Sequence, residues 1–184
     1  MPEERTLSPH SPADAPLGVV LHDADYRVEA LLRDFAADLR GRGVAVAGLC
    51  QRKIPSGRRK PLMELVNIRT GAAYPISQNL GSQSESCVMD PAGMAEACAA
   101  LQQEIERRPA LLVVNKFGCL ESLGGGLRAE LLEAVSQGIP VLTSLDGRHR
   151  DGWNAMTGSA GTMLPADRQA LEQWWTDVQR VMEQ

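Results

Sequence analysis

The run LLVVNKFG at residues 111–118 carries an apolar stretch into an amide and an ammonium, Asn115 and Lys116. In a nucleotide hydrolase the acid that follows such a strand holds the Mg²⁺ bridging the phosphates, and neither of these side chains can do that work. A lysine ammonium donates three charged hydrogen bonds and accepts none, so on a water-poor rim its natural partner is an anion. Gly124, Gly125 and Gly126 precede a helix that begins with Leu127 and Arg128, where backbone N–H groups can face the same anion. Gln51 and Arg52 after an earlier strand, and Ser77, Gln78 and Asn79 in a polar loop, add further donors. The candidate ligand-binding set is therefore Lys116, Arg128, Asn115, Ser77, Gln78, Asn79, Gln51, Arg52, Gly125 and Gly126. Plainer alternatives exist: an ion pair from Lys116 to Glu121 or Asp23, a tight turn or hinge at the glycines, and a simple turn at 77–79.

A phosphate-binding loop would lie after the first strand, where glycines let backbone N–H groups wrap phosphates and a lysine neutralises them. That position holds His22, Asp23, Ala24, Asp25 and Tyr26, with no glycine and no lysine. Two carboxylates there repel a triphosphate, and either Asp23 or Asp25 can serve simply as a helix cap. No G-x-S-x-G elbow is present, so a hydrolase triad is not expected. His22 and His149 with an aspartate would make a metal set that no spacing rule supports. The expectation is a chain with no catalytic residue, no resident metal and no certain cofactor, leaning away from an enzyme.

The elements that must position these groups read as alternating strands and helices. LGVVL at 17–21 is a first central strand, and Val28, Leu31, Leu32, Phe35 and Leu39 share the apolar face of the helix after it. VAVAGLC at 44–50 completes a βαβ unit with parallel strands. LMELVNI and AAYPI form a hairpin turning at Gly71, with Pro75 confining the second arm to an edge or a strand end. Asp90 caps a helix that starts at Pro91 and buries Met94, Cys98, Leu101 and Ile105. Strand ALLVV, a helix over about 127–137 and strand IPVLTS follow. RDGWNAM is either a short helix or an ordered loop, and Pro165 and Asp167 open a last helix burying Leu171, Trp174, Trp175, Val178 and Met182. The fold expected is a single three-layer α/β/α domain with a mostly parallel sheet over 17–184, a β-hairpin insertion, and a disordered tail over 1–16. Ligands of such a sheet bind beyond the carboxyl ends of its strands.

Composition agrees with one globular core: 184 residues, 43% apolar and 23% charged. A net charge of −4 argues against a general nucleic-acid binder, and QRKIPSGRRK at 51–60 reads most simply as a solvated basic loop. No apolar stretch approaches the roughly 20 residues that span a bilayer, and the start of the chain has no hydrophobic signal segment. Cys50, Cys87, Cys98 and Cys119 show no C-x-x-C pair, which fits reduced thiols in a cytoplasmic protein, buried as small hydrophobes except that Cys87 follows a polar loop.

The motifs GLCQRK, TGAAYPISQNLG, CVMDP, NKFGCLESLGGGLRAEL and GIPVLTSL, in this order over about 17–165, resemble the bacterial family catalogued as domain of unknown function 2478. That resemblance implies a P-loop NTPase-like fold with a degenerate phosphate loop, and an association with molybdenum uptake and handling. It implies molybdate or tungstate as ligand, and molybdenum transport or cofactor-assembly proteins as partners. Neither nucleic-acid binding nor membrane insertion is expected, and a homo-oligomer stays open. Two other functions stay open: a nucleoside-triphosphatase-like enzyme using Asp23 or Asp25 to recruit Mg²⁺, and an interaction module for a transporter or assembly partner.

Overall fold

Strand β1 (Leu17–His22) is buried along nearly its whole length because it lies inside the sheet, paired on both sides. The computed structural model describes residues 16–23, 27–55, 61–78 and 88–183. The expected tail therefore falls, apart from Pro16, outside the described residues, as do Asp25, Asn79, Cys87 and residues 56–60 of the basic loop.

Helix α1 (Arg27–Gly41) leads to β2 (Val46–Ile54), β3 (Leu62–Asn67), β4 (Ala73–Pro75), β5 (Ser77–Gln78), β6 (Val88–Met89) and α2 (Pro91–Glu106). β7 (Leu111–Phe117), α3 (Cys119–Ser122), α4 (Arg128–Ser136) and β8 (Val141–Asp146) follow, then α5 (Arg150–Thr157), β9 (Thr162–Pro165) and α6 (Arg168–Met182). The main sheet has the order β4-β3-β2-β7-β8-β1-β9. Its β2, β7, β8, β1 and β9 run parallel, while β3 and β4 run antiparallel as the expected hairpin. Pro75 sits on the edge strand, where a missing N–H costs no ladder bond.

Two apolar layers sandwich the sheet. Val28, Leu32, Phe35 and Leu39 of α1 and Leu171, Trp174, Trp175 and Val178 of α6 pack against one face. Met94, Leu101 and Ile105 of α2, Leu131 of α4 and Trp153 of α5 pack against the other. Asp90 caps α2 by accepting from the N–H groups of Ala92 and Gly93, as Asp-Pro at a helix start predicts. Gly48 is required by close packing: a Cβ there would stand 1.9 Å from the Val113 carbonyl oxygen on β7.

The structure corrects several boundaries. β2 runs on to Ile54 because pairing with β3 carries it past the apolar residues, so Gln51, Arg52 and Lys53 belong to a strand and not to a loop. RDGWNAM is helical, with the Trp153 ring edge-on to Phe117 at 5.2 Å. β9 is a strand that no expectation from sequence covered, because four residues beside β1 are too few for a periodic pattern. Asp167 does cap α6, through the Ala170 N–H, but Pro165 ends β9 instead of opening the helix. Met182 is 55% exposed, since α6 outruns the short strand beneath it. Cys98 is half-buried and Cys119 is exposed at the start of α3, against the expectation of buried thiols. Cys50 does lie in the core, and burial pushes its thiol up to about 12.

Candidate functional site at the carboxyl-end rim

Glu29 stands in the first turn of α1, just beyond the loop that follows β1. A glutamate here suits the helix dipole, but this one is buried, so its charge needs partners. They come from two adjacent strands. Lys53 near the end of β2 brings its ammonium to 4.0 Å from Glu29 Oε2, and Lys116 near the end of β7 brings its own to 4.0 Å from Oε1. Gln51 Nε2 donates to Oε1 at 3.4 Å. The two lysine side chains are 25% and 32% exposed, so the cluster opens to solvent at the rim.

The electrostatics follow from that arrangement. Burial pushes the Glu29 carboxyl above its ordinary range, and the Lys53 and Lys116 ammonium groups pull it back. Lys53 is held below the ordinary lysine range by desolvation first; Glu29 opposes that shift and Lys116 adds to it. Two ammonium groups thus share one carboxylate in a partly desolvated setting, and within this trio positive charge exceeds negative by one.

Of the predicted set, Lys116 and Gln51 meet here. Lys116 forms its ion pair with Glu29, and not with Glu121 or Asp23 as the sequence left open. Asn115 is fully buried and both arms of its amide are taken: Oδ1 accepts from the Gln51 N–H at 3.2 Å, and Nδ2 donates to Ser144 Oγ at 2.6 Å. It ties β2, β7 and β8 together where the β7–β8 register is irregular. Arg52 is paired with Glu64 across the β2–β3 ladder. The Ser77 hydroxyl accepts from the Met63 N–H at 2.7 Å, which fixes β5 against β3. Gln78 falls in β5, and Asn79 lies outside the described residues.

The glycine loop does receive an anion, and the anion is the chain's own. Glu121 Oε2 accepts from the Gly118 N–H at 3.0 Å and Oε1 from the Leu127 N–H at 3.1 Å. Gly126 has φ +59°, and a Cβ there would lie 2.0 Å from Glu121 Oε1. The Gly125 N–H is taken by the Leu120 carbonyl at 2.9 Å, and Arg128 Nη1 donates to the Glu121 carbonyl at 3.4 Å. Gly125, Gly126 and Arg128 thus take part in building the loop around Glu121. The signal for this was the E-S-L-G-G-G spacing, which lets a carboxylate fold back into its own nest.

Glu29 and Lys53 were not singled out from sequence. Glu29 reads as one polar position of an amphipathic helix, and Lys53 as part of a basic loop; pairing of β2 with β3 and β7 is what brings them together. Among the described residues no group of three or more His, Cys, Asp or Glu side chains converges as a metal site would need. His22 and Asp146 are register partners on β1 and β8, and hydrogen bonds from Arg148 hold Asp146 well below the usual carboxylate range. No helix among the described residues is long and apolar enough to cross a membrane.

Both the motifs and the sheet recur in known proteins. A curated relative, Molybdenum import ATP-binding protein ModC 2 of Bradyrhizobium diazoefficiens, is 38% identical over 162 residues, covering 88% of this chain and 18% of that protein. The chain thus spans less than a fifth of that relative's length. Among solved structures, a human cancer-related nucleoside triphosphatase matches with a TM-score of 0.63 at 14% identity, over 91% of this chain and 97% of the other. At that identity the likeness shows a shared P-loop NTPase-like fold. The family model described as Protein of unknown function (DUF2478) matches residues 17–174, and the chain belongs to that family.

Proposed function

We propose that this protein binds a tetrahedral oxyanion, molybdate or tungstate, at the rim where α1 meets the ends of β2 and β7, without catalysing a reaction on it. The single observation that carries this reading is the convergence of Lys53 and Lys116 on one carboxylate, 4.0 Å from each. Ammonium groups presented from neighbouring strands make a positioned cationic pair, and charge-assisted hydrogen bonds to an oxyanion are among the strongest polar contacts available. The molybdenum context comes from the relative's name, and a role in cytosolic molybdenum homeostasis beside transport or cofactor-assembly proteins goes with it.

A degenerate phosphate loop supports the same reading. The G-x-x-x-x-G-K-[ST] pattern, laid with its first glycine on His22, puts Arg27, Val28 and Glu29 where the second glycine, the lysine and the hydroxyl stand. Val28 is buried in the core, and Glu29 brings a carboxylate to the place of the metal-binding hydroxyl. The nucleotide-bound Mg²⁺ usual to this fold does not fit these described residues. The end of β7 offers a saturated amide and an ammonium, and the first turn of α1 offers a carboxylate already flanked by two cations. Cationic side chains occupy the ground a divalent ion would need.

Calorimetric titration of the purified chain with molybdate, tungstate, sulfate and phosphate, with Mg²⁺ and with a chelator, tests the reading. Saturable binding of molybdate or tungstate that survives the chelator is expected. Absence of any binding at millimolar anion overturns it, and Mg²⁺-dependent phosphate release from a nucleotide panel would replace it with the enzyme reading.

A further inference from the structure

The lysine pair is already engaged by a negative group that belongs to the chain. Glu29 Oε2 faces Lys53 and Oε1 faces Lys116, so each carboxylate oxygen meets one ammonium. Gln51 Nε2 also donates to Oε1, and among the described residues the Cys50 thiol feels the charges of both Glu29 and Arg33. Cys50 stays neutral, because burial holds its thiol at about 12.

On the oxyanion-binding reading above, we infer that Glu29 makes binding proton-coupled: a dianion enters the Lys53–Lys116 pair as Glu29 takes up one proton. With Glu29 ionised the trio carries two positive charges against one negative, and a dianion drawn to both lysines would stand beside a buried carboxylate. Like charges so close in a desolvated site disfavour one another strongly. Protonation removes that charge, releases both ammonium groups from this carboxylate and leaves two positive charges for two negative ones. One proton from solvent forms the Glu29 O–H bond, and no electrons move. Burial already favours the protonated form, which reduces the cost of that step.

Molybdate and sulfate binding to the full chain, followed from mildly acid to mildly alkaline pH where both remain dianions, tests this. The dissociation constant for molybdate should rise with pH, approaching about tenfold per unit where Glu29 is ionised in the free protein, as one linked proton requires. Calorimetry in two buffers of different ionisation enthalpy should show uptake of close to one proton. Glu29→Gln should bind molybdate more tightly than wild type at neutral pH and lose most of the pH dependence, while Lys116→Ala binds weakly at every pH. Any sulfate binding should show the same slope, which assigns it to the protein and not to the anion. Binding by wild type that is flat with pH, or weaker binding by Glu29→Gln, overturns the coupling and leaves the oxyanion reading standing. No binding by either protein overturns both.

Discussion

Glu121 meets two backbone N–H groups at 3.0 and 3.1 Å, whereas Glu29 meets two lysine ammonium groups at 4.0 Å each. Both carboxylates are buried at the same end of the sheet. The difference lies in what holds them. Backbone donors cannot move without unfolding the loop that carries them, so Glu121 is a staple joining the end of β7 to the start of α4. Lysines reach their partner through long flexible stems and can turn to another anion at small cost. The rim therefore carries one internal anion that fixes structure and one that stands where a ligand can compete with it.

Substitutions should separate the two. Glu121→Ala leaves the Gly118 and Leu127 N–H groups unsatisfied and is expected to cost about 3 kcal/mol in denaturant unfolding, because each stranded buried donor costs about 1–3 kcal/mol. Molybdate affinity, measured where the variant is still folded, should change little. Gly126→Ala tests the same nest from the other side: its Cβ would collide with Glu121 Oε1, and its φ of +59° disfavours any side chain. A loss of about 2 kcal/mol is expected from that strain. Asn115→Ala removes two buried hydrogen bonds across three strands and should also cost about 2 kcal/mol. At the other carboxylate the pattern reverses. Lys116→Ala should shift stability by less than about 1 kcal/mol, as a partly exposed pair predicts, yet weaken molybdate binding about tenfold.

The smallest effect concerns pH and stability. A carboxyl whose folded pKa is raised contributes stability in acid, and that contribution is lost as pH climbs through the folded value. Glu29 is such a group, since desolvation outweighs its lysines. Between the ordinary carboxylate range and neutrality, wild type should therefore lose stability relative to Glu29→Gln. Melting curves of the two proteins across that interval check the sign; a difference that grows in the opposite direction would mean that the lysines dominate.

Much of the frame was legible in sequence because it rests on local patterns. The α1 face, the Asp90–Pro91 cap and the hairpin turn near Gly71 each follow from residue types at fixed offsets. β9 and α3 were hidden by their brevity. The site was legible in part. Lys116 stood out because an ammonium ending a buried strand must find an anion. Asn115, its neighbour, was read as a rim donor, whereas its amide is buried and hydrogen-bonded to the two flanking strands, partners that no local pattern in the sequence announces. Glu29 and Lys53 share no motif or spacing. Their proximity is a product of strand order, which sets β2 beside β7 and lays α1 across both.

The central claim is that Lys53 and Lys116 act as one cationic pair toward an outside anion. Equilibrium titration of molybdate into wild type and into a Lys53→Ala, Lys116→Ala double variant tests it most directly. One saturable site per chain in wild type, lost in a double variant that still melts cooperatively, is the result expected. Undiminished binding by the double variant, or none by wild type, would contradict it.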